Sequence, residues 1–557
     1  MSQPTSYLPQ QFRLPVDLDL SKNEGSTRAA ELLASLDDPS RVVSRYPDTT
    51  DLRQALAGLH GLPEDSVLVT AGGDDALFRC FLARVGPGRQ VVSTTPTFEM
   101  ISRYSGQRGA ELIETAWWAG PFPTEELIAS ITDRTDAVFL VSPNNPTGSV
   151  ATGPDLERIA AKTPLLVLDA AYTEFATEDL TRVALGLGNA VVIRTLSKAY
   201  GLAGLRVGYL LGPPELVAEI GAHGNPYPVA SISAALATTR LGRPASELND
   251  FVEEIKRERV ALTATLGELG TKPLPSEANF VLTECRDPSW LISAAAAMGV
   301  GLRQFPDRPD LGQMVRITLP ANRPDFQRLV DTMETVLAPE AIVFDLDGVL
   351  ADVSRSQSTA IIETGRSFGI EIDVNDIERA KANGNSNDDW LLTQGLCREK
   401  GSEVALDVIT DRYESLYQGS NGQPGLKIHE SPIVDGATWS RWASSRPLAV
   451  VTGRPRADAE EILDRFDLSR QVSALVTRDD APLKPDPAPV SLALKLLGVR
   501  RAWMLGDTPD DLTAARAAGV IPIGVIAPGD NPKRSRLSLR NAARILENTN
   551  QLEALLP

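Results

Sequence analysis

Short apolar runs rich in β-branched residues recur along the chain. Each ends in a polar or Gly-rich turn and leads into a stretch with helical spacing. SVLVT (66–70), QVVSTT (90–95), AVFLVS (137–142), PLLVLD (164–169) and AVVIRT (190–195) lie in the first half; AIVFDLD (341–347), PLAVVTG (447–453) and RAWMLGD (501–507) lie in the second. Runs of this kind predict parallel strands of α/β units. In such sheets ligands gather at the carboxyl ends of the strands, and the chemically unusual residues of this chain fall at those ends. One helical pattern (322–337) stops at Ala338-Pro339, and a buried strand follows at once, which marks the main boundary. The stretch 356–427 lacks strand runs and reads as helices inserted into the second α/β part. The sequence carries no internal repeat and no low-complexity tract.

Composition narrows the partners. At about 150 residues per domain, 557 residues correspond to three to four domains. Acidic side chains outnumber basic ones 73 to 55, a formal net charge of −18, which argues against nucleic acid or an anionic membrane as partner. The hydrophobic share of 42% and charged share of 23% are those of a globular chain. Three scattered cysteines exclude a disulfide framework, and three histidines argue against a His-ligated metal cluster. The N-terminus lacks the apolar core of a signal peptide, and no apolar run approaches membrane-spanning length. The expectation is a soluble, cytoplasmic protein. The basic cluster KRSRLSLRNAAR (533–544) reads as a solvated helix face.

The densest chemical signal is RTLSKAYGLAGLRVGY (194–209). Lys198 in a Ser/Gly/Ala-rich turn suits a Schiff-base lysine, where small neighbours let a flat cofactor approach, and Ser197 with Arg206 can neutralise a phosphate. By itself this could be an exposed lysine in a loop. Other strand ends add to it. SPNNPTG (142–148) offers the Asn145 amide to a phenolic oxygen. LDAAY (168–172) supplies Asp169, a carboxylate that can keep a pyridine nitrogen protonated, and Tyr172 three residues later. TAGGDD (70–75) presents free backbone N–H groups at a helix start, a phosphate cradle. Phe98 in PTFEM (96–100) can stack on a ring or be an ordinary core aromatic.

In the second half, FDLDGVL (344–350) ends a strand with Asp345 and Asp347. Alternate side chains of a strand point opposite ways, so both reach one ligand only if the chain turns between them, which Gly348 supports. One carboxylate can attack phosphorus while the other serves as acid and base; the same residues could also be a turn or a calcium loop. Thr452 in VVTGRP (450–455) can grip a phosphoryl oxygen, and Lys484 in LKPDP (483–487) can offset its charge. Asp507 and Asp511 in MLGDTPDD (504–511) form a pair suited to Mg²⁺. Hard oxygen ligands point to magnesium rather than zinc.

The ordered segments NEG (23–25), RYPD (45–48), AGGDD, PTFEM, SPNNPTG, DAAY, TLSKAYGLAGLR, PYP (226–228), PSEANF (275–280) and VRIT (315–318) make the first ~337 residues resemble fold-type I pyridoxal-phosphate aminotransferases, above all histidinol-phosphate aminotransferases. The resemblance implies that Lys198 carries the cofactor and shuttles the proton, that Asp169 pairs the pyridine nitrogen, and that Asn145 and Tyr172 bond the phenolic oxygen. It further implies phosphate contacts from Gly73, Asp74, Ser197 and Arg206, and Arg316 as the anchor of a substrate carboxylate or its replacement. Tyr46 would reach the phosphate in a neighbouring subunit, so a homodimer follows. This chain has Ala170 and Gly25-Ser26 where such enzymes often carry Glu and Asn-Pro, Leu319-Pro320 where Gly is usual, and Phe98 where Tyr is common. These departures lie on or behind the substrate side.

Residues ~340–557 resemble the haloacid-dehalogenase superfamily, with its four motifs in order. The resemblance implies that Asp345 becomes an aspartyl phosphate and that Asp347 protonates the leaving group, which favours a phosphatase. Thr452 and Lys484 would stabilise the phosphoryl group. Asp345, Asp507 and the Asp347 carbonyl would hold Mg²⁺, with Asp511 assisting. The insertion would be a helical cap, in which NGNSNDDW (383–390) either faces substrate or opens a helix, and DVSRS (352–356) would face the cap.

The expected layout is an N-terminal arm (1–46), a cofactor-binding domain (47–235) and a small domain (236–338), then a Rossmann-like core (340–355 and 428–557) with its cap (356–427). The expected function is bifunctional. A keto phosphate is aminated from glutamate, releasing 2-oxoglutarate, and the amino product is dephosphorylated, with histidinol phosphate to histidinol leading. Alternatives are an aminated sugar or aminoalcohol phosphate, a decarboxylation, dephosphorylation of pyridoxal phosphate itself, or a second half that binds a metabolite without turnover.

Overall fold

The computed structural model describes residues 10–26, 29–36, 39–382, 384, 388–420 and 422–556. They form two compact units. The first is built mainly from Asp19–Pro288 and Leu302–Arg328; the second takes in Leu329–Pro557 with Gln11–Leu18 and Ser289–Gly301.

The first unit holds a seven-stranded sheet in the order Val67–Thr70, Gly208–Leu211, Ala190–Thr195, Leu166–Asp169, Thr135–Val141, Gln90–Thr95, Glu111–Ala116. Every neighbouring pair is parallel except those made by Gly208–Leu211, which runs against both its neighbours. The five strands expected here therefore point the same way, and their carboxyl ends share one edge. Burial explains the runs: Ala190–Thr195 is buried at all positions, and the helix Gly73–Arg84 covers one face through Leu77, Cys80 and Phe81. A four-stranded antiparallel sheet, Arg303–Gln304, Met314–Thr318, Phe280–Glu284 and Lys272–Pro273, carries Arg316 in its second strand.

The second unit has a six-stranded, all-parallel sheet in the order Val472–Val476, Leu448–Val451, Ala341–Phe344, Ala502–Gly506, Ile521–Val525, Arg544–Leu546. Its first strand in sequence is central, so the strand order reverses beside Ala341–Phe344. That switch point is where a doubly wound sheet opens its ligand crevice.

The insertion folds as four helices, Gln357–Ser367, Val374–Ala382, Asp389–Glu399 and Leu406–Tyr417, around Ile361, Leu396, Tyr413 and Tyr417. It is not wholly helical: Gly419–Ser420 pairs with Gln423–Pro424 in a short hairpin, a fold-back in which Gly419 takes φ +93°. Of NGNSNDDW, residues 383 and 385–387 lie outside the described residues, while Asp388 caps the helix that follows by accepting from the Trp390 and Leu391 N–H groups. Only the first half of the basic cluster is helical: the helix Pro532–Ser538 has Arg534 paired to Glu378 and Arg536 to Glu547, and Arg544 opens the edge strand Arg544–Leu546. Among the described residues no helix is long and apolar enough to cross a membrane.

Candidate active sites

In the first unit the strand ends surround a cavity of about 750 Å³. Gly73, Asp74, Phe98, Asn145, Asp169, Tyr172, Ser197, Lys198, Arg206 and Arg316 all line it, so ten of the expected residues converge. Asp169 closes its strand at the cavity floor. Burial raises its carboxyl to about 7, and the Ala171 N–H at 3.1 Å is its one hydrogen bond among the described residues. Lys198 Nζ lies 5.6 Å from the centre of the Tyr172 ring and donates to the Lys22 carbonyl at 3.4 Å.

At the phosphate end, the helix Gly73–Arg84 begins after Gly72, whose φ is +82°. A Cβ on Gly72 would come within 2.8 Å of Arg206 Nη2, so only glycine lets the guanidinium sit over this turn. Arg206 itself adopts φ +54° and donates to Asp74 at 3.2 Å. Such a conformation is uncommon for a residue with a Cβ and persists where the surroundings hold it. Thr195 Oγ1 donates to Ser197 Oγ at 2.9 Å.

The other end is held by an arginine. Arg316, buried, donates to Asn145 Oδ1 at 2.6 Å and to the Ser21 carbonyl at 2.8 Å, between the rings of Phe280 and Phe305. Asn145 is thus oriented from behind. Tyr172 is oriented too: the Asn23 amide donates to its hydroxyl at 3.0 Å, and Asn23 Oδ1 accepts from Thr318 at 2.9 Å. Asn23 stood in the NEG segment without an assigned role, and its φ of +54° in a buried position is the structural sign of one. Arg303, Phe305 and Arg308 also line the cavity and were not anticipated. Phe98 both lines it and packs against the core. Tyr46 does not: it is 81% exposed and stacks on Tyr227 at 4.7 Å.

These residues fit pyridoxal phosphate. Asp169 is a half-buried carboxylate with no bonded cation among the described residues, suited to a pyridinium; Lys198 suits an aldehyde; and the Gly73, Ser197 and Arg206 end suits a phosphate.

In the second unit Asp345 follows the strand Ala341–Phe344. Lys484 Nζ lies 2.6 Å from Asp345 Oδ1 and 2.5 Å from Asp511 Oδ1. Burial pushes Asp345 up to about 7 against the pull of Lys484, with Asp511 and Asp347 adding to the rise. One oxygen each from Asp345, Asp507 and Asp511 lies within 4.8 Å of the others. Three carboxylates so close, two of them buried and Asp507 half-buried, repel one another, and desolvation drives Asp507 far above its usual range. The cluster fits a hard divalent cation such as Mg²⁺. Gly348, at φ +74°, brings the chain within reach: a Cβ there would stand 2.5 Å from Asp507 Oδ2.

The carboxylate of Asp347 does not join that cluster. Arg454 grips it, Nη2 to Oδ1 at 2.6 Å and Nε to Oδ2 at 3.1 Å. Burial raises Asp347 but Arg454 outweighs it, and the net result lies below the ordinary range. Arg454 is itself buried and donates to Tyr417 and Glu430. Glu430 further accepts from Ser356 and Arg465. Arg454 sat unremarked two residues after Thr452. Thr452 is buried, and its hydroxyl accepts from the Arg454 N–H at 3.2 Å.

A family model described as aminotransferase class I and II matches residues 17–329, and one described as haloacid dehalogenase-like hydrolase matches 339–519. A histidinol-phosphate aminotransferase of Thermococcus kodakarensis is 34% identical over 278 residues, 50% of this chain and 79% of that protein. An imidazoleglycerol-phosphate dehydratase of Phytophthora nicotianae is 39% identical over 197 residues, 34% of this chain and 44% of that protein, so the chain spans less than half of its length. Among solved structures, histidinol-phosphate aminotransferase from Sinorhizobium meliloti in complex with pyridoxal-5'-phosphate aligns with a TM-score of 0.52 and 25% identity, over 57% of this chain and 91% of that one.

Proposed function

Because the chain belongs to the class I and II aminotransferases and carries a haloacid dehalogenase-like hydrolase module after that domain, we propose that it aminates a ketone phosphate and then removes the phosphate. The leading substrate is imidazole-acetol phosphate, which becomes histidinol phosphate at the expense of glutamate and then histidinol. The carrying observation is the arginine content of the first cavity. Beyond Arg206 at the cofactor end it has Arg303, Arg308 and Arg316, and the guanidinium groups of Arg303 and Arg316 lie 5.5 and 5.8 Å from the Phe305 ring. Cations against an aromatic wall suit an anionic substrate with a flat ring. The names of the Thermococcus and Sinorhizobium relatives support the same reading.

Pyridoxal phosphate, when bound, supplies the electron sink for amino transfer. Asp169 holds the proton on its ring nitrogen. Asn145 and Tyr172 fix its phenolic oxygen, each braced by the residue bonded behind it. Lys198 Nζ takes the proton from the substrate α-carbon and gives it back, and Arg316 holds the substrate anion.

In the second unit Asp345 attacks phosphorus and the ester P–O bond breaks. Asp347, which Arg454 holds as a carboxylate, must first take up a proton to give one to the departing oxygen; as the carboxylate it then takes one from the water that hydrolyses the aspartyl phosphate. Lys484 and Thr452 stabilise the phosphoryl group. Mg²⁺ would be held by Asp345, Asp507 and Asp511, with the Asp347 carbonyl, and would screen the nucleophile from the phosphate charge.

A second copy of the chain would cover Tyr46. Its exposed stack with Tyr227, itself 53% exposed, supports this.

Glutamate and imidazole-acetol phosphate supplied to Lys198→Ala and Asp345→Asn proteins test the reading. The first variant should form no amine; the second should accumulate histidinol phosphate without free phosphate. Wild-type protein that makes neither 2-oxoglutarate nor phosphate from this pair refutes the substrate.

A further inference from the structure

The cavity above Asp345 is closed on one side by the inserted helices, which contribute Lys381, Asp389, Trp390, Tyr413 and Glu414 to its wall. Of the seven acids that line this cavity three have a cation: Asp345 has Lys484, Asp347 has Arg454, and Asp388 has Arg478 at 2.6 Å; Asp507 belongs to the carboxylate cluster, and Asp458 accepts from the Gln418 amide. Asp389 and Glu414 differ. Asp389 Oδ2 accepts the Tyr413 hydroxyl at 2.6 Å, and Glu414 Oε1 accepts the Trp390 indole N–H at 3.0 Å. Among the described residues neither carboxylate has an ion pair, and the second oxygen of each takes no hydrogen bond. Two aromatic side chains therefore aim two carboxylates into the cavity that contains the nucleophile, each with one oxygen unused.

Lys381 is the remaining cation. Among the described residues its ammonium makes no hydrogen bond or ion pair, although Asp507, Asp389, Asp530 and Asp347 surround it. A phosphate dianion seated at Asp345 would draw on that ammonium. Asp389 would then lose the compensating charge of Lys381, and Arg478, the cation over the Trp390 ring, is already paired with Asp388.

Resting on the phosphatase reading above, we propose that the cap selects phosphate monoesters bearing an ammonium group, which Asp389 and Glu414 receive. The consequence is an order of steps. A keto phosphate has no cation at the position where its aminated product has one, so the second site acts on the product and spares the precursor.

The test uses the full chain with Mg²⁺ and no amino donor, so that only the second site turns over. Phosphate release is measured from 2-aminopropyl phosphate and from acetol phosphate, its ketone counterpart, and from propyl phosphate as a neutral control. The amino ester should be favoured at least tenfold in kcat/KM over both, mainly through KM. Asp389→Asn together with Glu414→Gln should bring that ratio close to one. Wild-type protein that uses the three esters equally overturns the proposal without recourse to any variant, as does a preference that survives both substitutions. Phosphate release from none of the esters removes the phosphatase reading and this inference with it.

Discussion

Asp169→Asn should stabilise the cofactor-free protein at neutral and alkaline pH while weakening cofactor binding. Burial raises the Asp169 carboxyl from 3.8 to about 7. The folded state therefore holds a proton that the unfolded chain has released, and stability falls as pH climbs from about 4 to about 7. At roughly 1.4 kcal/mol per unit the full penalty would be about 4 kcal/mol above pH 7; Asp169 faces a water-accessible cavity, which reduces it to roughly 2 kcal/mol. Asparagine keeps the shape and the bond from the Ala171 N–H, but it has no charge to desolvate. For a unit of this size that corresponds to a rise of roughly 4 °C in Tm at pH 8. The gain should shrink steadily towards pH 5. Differential scanning calorimetry checks it, following the transition that moves when pyridoxal phosphate is added. Adding the cofactor should reverse the ranking, because a pyridinium stabilises the aspartate and not the asparagine. A difference between wild type and variant that is flat from pH 5 to 8 would refute the argument, for then Asp169 carries no desolvation penalty.

Asn23→Ala should cost about 1–3 kcal/mol, because it strands the buried Tyr172 hydroxyl and Thr318 partners; urea unfolding measures this, and transamination should slow at least tenfold as Tyr172 loses its brace. Arg454→Met leaves Asp347 and Glu430 without their shared cation. About 3–5 kcal/mol should be lost from the second unit in calorimetry, together with phosphatase activity. Gly348→Ala puts a Cβ at 2.5 Å from Asp507 Oδ2 in a left-handed conformation, so Mg²⁺ titrated calorimetrically should bind at least tenfold more weakly, with transamination intact. Chelation by EDTA should abolish phosphate release and leave 2-oxoglutarate formation unchanged.

The strand ends were legible because one physical rule writes them. A strand covered on both faces is an unbroken apolar run, and the first polar residues after it face the open edge of the sheet. LVLD and AIVFDLD obey that rule, which is why Asp169 and Asp345 could be placed by eye. Gly208–Leu211 was missed as a strand because it is short and follows an arginine motif that reads as loop. Glu111–Ala116 was missed because it is an edge strand with exposed Glu111 and Glu114 neighbours, and so lacks the apolar run. Pairings across the chain were illegible for another reason. Arg454 meets Glu430, Asn23 meets Tyr172, and Trp390 meets Glu414 only after folding; no local spacing encodes any of these pairs.

The same distinction separates the chemistry of the chain from its selectivity. Groups proposed to hold cofactor, metal and phosphoryl oxygen sit at strand ends, so a short motif fixes both their identity and their place. The cavity-lining groups proposed to meet the variable part of a substrate sit on Arg303–Gln304 and the inserted helices, elements assembled from distant segments. Asp389 was visible as one acid in a polar turn. What makes it a candidate for reading a cation is Tyr413 on another helix, which occupies one oxygen and orients the second. Substrate identity in a two-site chain of this kind is therefore tested at the cap, where a paired carboxylate would be inert and an unpaired one discriminates.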